Sequence, residues 1–192
     1  MRLLYASSNE GKLKEVALLS RRYSISIESV TAELSHSIRI PEVGVTYEEN
    51  ARAKALAHAI VTGCPCLADD SGIEIQTLGG LPGVYTSRFG MDRVSKLLQV
   101  SSPAQFVCCM AYAEPDGRCV TVTETLTGIF RPDLWFQSSV SALPYSRCFI
   151  PNGQVAPLSE LVSQNPEISH RAKALQSLLT CLGVCLRPAE SV

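Results

Sequence analysis

Charge of one sign is missing from this chain: its 192 residues carry 17 lysines and arginines against 18 acids, a net charge of −1. Without a basic field there is no reason to expect duplex nucleic acid or an anionic membrane surface as a partner, so any anion must be gripped in a local pocket. Long apolar runs are missing too. The longest, around Phe106 to Ala113 and Leu178 to Leu186, fall well short of a membrane span. The opening MRLLYASSNEGK turns polar too soon for a signal peptide, so the expectation is a soluble, cytoplasmic protein. No C-x-x-C pair occurs among the eight cysteines, and His36, His58 and His170 are not spaced with them as a zinc site requires. The thiols read as small buried hydrophobes. Repeats and low-complexity tracts are absent, and so is the G-x-x-x-x-G-K-[ST] spacing of a P-loop.

The length allows one domain, residues 1–192, with a substantial core. Arg2 to Ala6 reads as a strand. Lys12 onward reads as a helix with Leu13, Val16, Ala17 and Ser20 on one side. Tyr23, Ile25 and Ile27 alternate with polar residues as a second strand, and residues 31 to 45 are irregular. Thr46 followed by Glu49 is a capping box opening a helix striped with Ala51, Ala55, Leu56, Ala59 and Ile60 and stopped by Gly63. Strand-like stretches at 64 to 68 and 73 to 77 precede the breaker-dense Leu78 to Gly83. Met91 to Val100 reads as a short helix, and Glu114 to Gly117 as the turn of a hairpin. Ser169 caps a last helix striped with Ala172, Leu175, Leu179 and Leu182. Strands alternating with helices, plus one hairpin, indicate an α/β domain with a mixed sheet.

Four polar clusters interrupt this pattern. Ala68-Asp69-Asp70-Ser71-Gly72 follows an apolar stretch that reads as a buried strand. Alternation sends Asp69 and Asp70 to opposite faces, so one can face a site while the other braces it; Gly72 would allow a sharp turn. The same residues also make an ordinary surface turn. Ser7 to Lys12 is a strand-to-helix loop whose backbone N–H groups, hydroxyls and lysine suit a polyphosphate, although helix-capping loops look alike. Glu42, in an irregular segment near Lys54, is an acid without a structural explanation, and with Asp70 it meets the needs of magnesium. Finally, Arg171 and the ionisable His170 open the last helix, where positive charge opposes its macrodipole, which either a ligand or plain solvent exposure would explain.

Taken in order, these segments resemble the Ham1/inosine triphosphatase family. Its T-G-N-x-G-K-x-x-E corresponds to Ser7-Ser8-Asn9-Glu10-Gly11-Lys12-Leu13-Lys14-Glu15, and its E-x-G-x-T-F-x-E-N-A-x-x-K-A to Glu42 through Ala55. The A-D-D-S-G segment continues into Gly79 to Phe89, and I-S-H-R-x-x-A-L falls on Ile168 to Leu175. The resemblance implies a long twisted mixed sheet flanked by helices, two lobes with a nucleotide cleft between them, and a homodimer. It further implies magnesium-dependent hydrolysis of non-canonical purine nucleoside triphosphates (ITP, dITP, XTP) to monophosphate and pyrophosphate. Glu42 and Asp70 would hold the metal and Asp70 would accept the proton. Ser7, Ser8, Asn9, Glu10, Gly11, Lys12 and Ser71 would cradle the triphosphate and sugar, with His170 and Arg171 toward the base. Asp69 and Lys54 stand beside these as further candidates.

Departures gather in the C-terminal half. The family's G-F-G-Y-D-P falls on Ala142-Leu143-Pro144-Tyr145-Ser146-Arg147, keeping Tyr145 but exchanging the stacking ring for Leu143, a glycine for Pro144 and an aspartate for Ser146. The lysine expected six places before the arginine is Asn165, and a glycine expected before Gly128 is Glu124. Lys173 or Arg147 could replace the charge, and Trp135 or Phe136 the ring. An altered base pocket also leaves room for a protein that binds a nucleotide or partner with little turnover, or for action on another small phosphorylated substrate.

Overall fold

The computed structural model describes residues 2–23, 25–30, 38, 40–41, 43–137 and 144–184. In chain order the elements are β1 (Arg2–Tyr5), α1 (Glu10–Ser20), β2 (Ser26–Ser29), α2 (Tyr47–Thr62), β3 (Cys66–Ile75), α3 (Thr86–Phe89), α4 (Met91–Leu97), β4 (Ser102–Ala113), β5 (Cys119–Phe130), β6 (Phe149–Pro151), α5 (Leu158–Gln164) and α6 (His170–Cys181). The strands form one six-stranded sheet in the order β2-β1-β3-β4-β5-β6. β1 lies parallel to β2 and β3, and every later neighbour is antiparallel. The expected α/β class and mixed sheet are therefore found.

Strand length decides where the sheet opens. β1 meets β3 only through Leu4↔Cys66 and Tyr5↔Leu67, whereas β3 pairs with β4 along its whole length, Cys66↔Ala113 to Ile75↔Ala104. Farther along, the free edge of β3 is covered again, by a bridge between Glu74 and Pro82 and by the Ile75 N–H donating to the Leu81 carbonyl at 3.2 Å. Between these two covers, Ala68 to Gly72 present an open edge past the carboxyl end of β1. The chain leaves β1 toward β2 on one side while β3 lies on the other, the kind of divergence at which α/β sheets place ligands.

The two faces of β3 are packed differently because its side chains alternate. On one face, Ala51, Ala55 and Ala59 of α2 are fully buried against Cys66, Ala68, Cys109, Ala111 and Ala113. On the other, Leu67 and Met110 join Val16 and Leu19 of α1 and Leu175, Leu178 and Leu179 of α6. Farther along that same face, Ile73, Ile75 and Phe106 pack with Met91 and Val94 of α4, Tyr145, Phe149 and Leu158. The second and third cores are thus separated by the stretch holding Asp69 and Ser71, which sets one lobe on each side of it.

Local signals held where they were short-range. The Thr46–Glu49 capping box, the left-handed Gly63 at the end of α2, and the Ser169 cap of α6 are all present. The hairpin turn closes with the Glu114 N–H donating to the Arg118 carbonyl at 2.9 Å. Four readings need correction. The strands expected at 64 to 68 and 73 to 77 are one continuous β3, because β4 pairs through the acidic residues as well. The second strand is Ser26–Ser29, just beyond the buried Tyr23 and Ile25. Ala17 faces solvent and Glu15 with Leu19 takes its place inside. Ile60, at 61% exposure, lies outside the packed stripe of α2.

Candidate active site

A cleft of about 1240 Å³ opens at the exposed edge of β3. Its walls bring together Ser7, Ser8, Asn9, Lys12, Lys54, Asp69, Asp70, Ser71, Pro144, Tyr145, Ser146, His170 and Arg171, residues far apart in sequence but expected from it. Glu10, Gly11 and Asn165 do not line it. Asn165 instead caps the turn at Pro166–Ile168, its side chain accepting from the Glu167 N–H. Glu42 and Leu143 lie outside the described residues, although Pro41, next to Glu42, is part of the wall.

One end of the cleft is aromatic. Phe106 stacks face to face on His170 with centroids 4.6 Å apart, and Met91 and Tyr145 stand nearby in the wall. The Tyr145 hydroxyl and His170 Nδ1 are buried with no hydrogen-bond partner among the described residues. Such orphaned polar atoms are costly in a closed interior and are best explained by a ligand that meets them. Burial, then the neighbouring Arg171, holds the imidazole of His170 well below its ordinary range. It is therefore a neutral ring at physiological pH, not the charged group that the helix start had suggested. Trp135 lies under the Arg147 guanidinium, 5.1 Å from it, so that ring already has a packing role.

The other end is cationic and polar. Asn9 caps α1, its side chain accepting from the Lys12 N–H at 3.1 Å, which fixes the loop Ser7 to Asn9 at the helix's positive end. Between the two ends stand the paired acids. Asp69 is buried and fully engaged: Oδ2 accepts from Lys12 Nζ at 2.9 Å and Arg171 Nε at 3.3 Å, and the Cys108 thiol approaches it at 3.8 Å. Oδ1 takes the Tyr5 hydroxyl in a short hydrogen bond. Burial alone would raise the Asp69 pKa, yet Lys12 and Arg171, aided by Lys54 and Tyr5, bring it well below the usual carboxylate range. Asp70 turns to the opposite face. Its Oδ2 accepts from Asn50 Nδ2 at 2.9 Å, and Lys54 Nζ lies 3.7 Å from Oδ1.

Arg171 owes its position to protein partners. Its Nη1 pairs with Glu15, Nε with Asp69, and Nη2 donates to Ser71 Oγ at 2.9 Å. Glu15 in turn accepts from the Ser169 hydroxyl that caps the same helix. A positive charge in the first turn of α6 is thus offset by two buried acids, so neither solvent nor a ligand is needed to account for it. Gly72 is likewise explained by crowding, not by a turn: a Cβ there would lie 2.2 Å from the Gly83 carbonyl and 2.6 Å from Thr86 Oγ1. That Oγ1 accepts from the Ile73 N–H and donates to the Gly83 carbonyl, tying the 83–86 segment to the strand.

Tyr5, Glu15, Asn50 and Phe106 all serve this site and were not singled out as site residues from sequence. Only Glu15 carried a usable signal, an acid beside Val16 on the apolar side of a helix. For a metal, the donor chemistry is selective. Both Asp69 oxygens are already taken by cations and hydroxyl, whereas Asp70 offers a hard carboxylate at the wall beside an amide and an ammonium. Magnesium is commonly held by one or two carboxylates completed by substrate phosphates, and Asp70 fits that demand. Among the described residues no group of three potential ligands forms a protein-only cage.

A mixed sheet with an open strand edge, a cationic helix-start loop and an acid between them is an α/β arrangement chemically suited to a phosphorylated ligand. The chain belongs to the Ham1 family, whose model matches residues 3–181. A dITP/XTP pyrophosphatase of Deinococcus radiodurans is 37% identical over 194 residues, spanning 95% of this chain and 93% of that protein. A dITP/XTP pyrophosphatase of Nostoc sp. is 34% identical, spanning 96% and 95%. Among solved structures, a HAM1 protein from Coxiella burnetii superposes with a TM-score of 0.78 at 30% identity, over 95% and 98% of the two chains.

Proposed function

We infer that this chain hydrolyses non-canonical purine nucleoside triphosphates such as dITP and XTP to the monophosphate and pyrophosphate. The observation that carries the reading is Asp70: an acid on the cleft wall, steadied by Asn50 and Lys54, between an aromatic end and a phosphate-binding end. Full-length relatives bearing the dITP/XTP pyrophosphatase name support the same conclusion.

In this reading the base lies at the Phe106–His170 end and the triphosphate along Ser7 to Lys12. A purine with a carbonyl at C6 accepts a hydrogen bond there, where adenine's amino group would donate one. The described groups suited to donate are the Tyr145 hydroxyl and the N–H of the neutral His170 ring, since Arg171 is committed to Glu15, Asp69 and Ser71. Asp70 orients a water and accepts its proton as the water oxygen bonds to the α-phosphorus; the bond to the bridging oxygen breaks, and pyrophosphate leaves with that electron pair. Magnesium at Asp70, with Glu42 as the second carboxylate, would screen the phosphate charge as a Lewis acid. Lys12 and Lys54 hold the tail by charge. The chain works as a homodimer in this reading, which sizing in solution checks. Among the described residues no helix is long and apolar enough to cross a membrane.

The test is a product assay with magnesium over dITP, XTP, ITP and the four standard triphosphates. Pyrophosphate from the first three, and its loss in Asp70→Asn, is the expected result; no pyrophosphate from any of them refutes the reading. Ser146 and Pro144 in the wall, where the family resemblance led us to expect an aspartate and a glycine, favour a second possibility: binding with little turnover. Calorimetric dITP binding without product would establish it.

A further inference from the structure

His58 lines the cleft but takes no part in the chemistry described above. It is 6% exposed, on α2 one turn beyond Lys54. Its Nδ1 lies 2.8 Å from the Lys54 carbonyl oxygen. A carbonyl only accepts, so Nδ1 carries a hydrogen and donates, which fixes the ring's orientation. Nε2 has no hydrogen-bond partner among the described residues, and it is not one of the side-chain nitrogens sealed from solvent. A nearly buried side chain that lines the cleft opens this one edge into it.

The position along α2 says what would meet that edge. Asn50, Lys54 and His58 follow one another at four-residue spacing on one side of the helix, so each stands one turn farther from Asp70. Asn50 bonds Asp70 at 2.9 Å and Lys54 Nζ lies 3.7 Å from it. The helix packs through Ala55 and Ala59 on Ala6 and Val30, which border the loop starting at Ser7. His58 therefore belongs to the phosphate end, opposite Phe106 and His170.

We propose that His58 is a further substrate-contacting residue, whose Nε2 hydrogen-bonds the part of the phosphate tail that departs as pyrophosphate. A phosphate oxygen accepts, so in this contact Nε2 is the donor. The inference rests on the pyrophosphatase reading for the direction in which the tail lies.

Two substitutions separate contact from scaffolding. His58→Gln extends an amide toward the place of Nε2, while His58→Asn places one near Nδ1 and keeps the Lys54 carbonyl bonded without the reach. Binding of inorganic pyrophosphate with magnesium is read by calorimetry, and KM and kcat for dITP by product release. His58→Asn is expected to weaken pyrophosphate binding and raise KM by about tenfold with kcat little changed, and His58→Gln to retain most of both. The reverse order, or wild-type values in both variants, overturns the proposal. Because pyrophosphate binding is measured without turnover, a wild-type protein that binds it but hydrolyses no triphosphate would sink the pyrophosphatase reading while leaving the His58 contact measurable.

Discussion

Asp69 and Asp70, neighbours in the chain, point to opposite faces of the sheet: the first takes Lys12 at 2.9 Å and Arg171 at 3.3 Å, the second takes Asn50 at 2.9 Å. The strand's two-residue repeat is enough to divide them into a brace and a working group.

That division predicts unlike losses. Asp70→Asn should lower pyrophosphate release by about 10²- to 10⁴-fold while the urea midpoint stays near wild type. Asp69→Asn should cost about 3–5 kcal/mol in unfolding free energy, because Lys12 and Arg171 lose a buried counter-charge. Equal stability of the two variants would contradict the assignment.

Gly72→Ala drives a methyl against the Gly83 carbonyl, a backbone atom 2.2 Å from the new Cβ. The Gly83–Thr86 segment must move. A loss of about 1–3 kcal/mol is expected in denaturant unfolding. Unchanged stability would mean that the segment yields freely.

Acidification should destabilise the fold through His170. Its folded pKa is depressed, by burial and then Arg171, so below about 6.5 the unfolded chain binds the extra proton and the folded chain does not. Stability is then full above that value and falls as pH drops beneath it. Melting of wild type and His170→Phe from about pH 7.5 to about pH 5.5 checks this: the wild-type slope should exceed the variant's by up to one proton.

Thr46→Ala removes the cap that accepts from the Glu49 N–H at 3.1 Å and should cost about 1 kcal/mol by urea unfolding. Asn50 lies in the turn it stabilises, so KM for dITP is expected to rise with it.

Much of this architecture was legible because its signals are local. Thr46 with Glu49, Ser169, and the Glu114–Gly117 turn each satisfy backbone groups within a few residues, so their spacing alone predicts them. The pairing that threads β3 through Asp69 and Asp70 was not legible. It depends on β4, and a run of acids looks like the end of a strand until the partner strand is known. Arg171 misled for a related reason. Its compensation comes from Glu15, 156 positions away, and the first turn of a helix read alone shows only the unfavourable dipole. Conversely, Asp70 does line the cleft, and its signal was local: two adjacent acids, a hydroxyl and a glycine after an apolar stretch make a poor core.

The methyl groups between α2 and the sheet also act as a gauge. Ala51, Ala55 and Ala59 set the helix at the smallest stand-off that side chains permit, and Asn50 and Lys54 reach Asp70 only across that spacing. A single larger residue in the row would lift the whole helix like a shim. Every donor carried on it would then retreat from the acid together, though none had itself been altered.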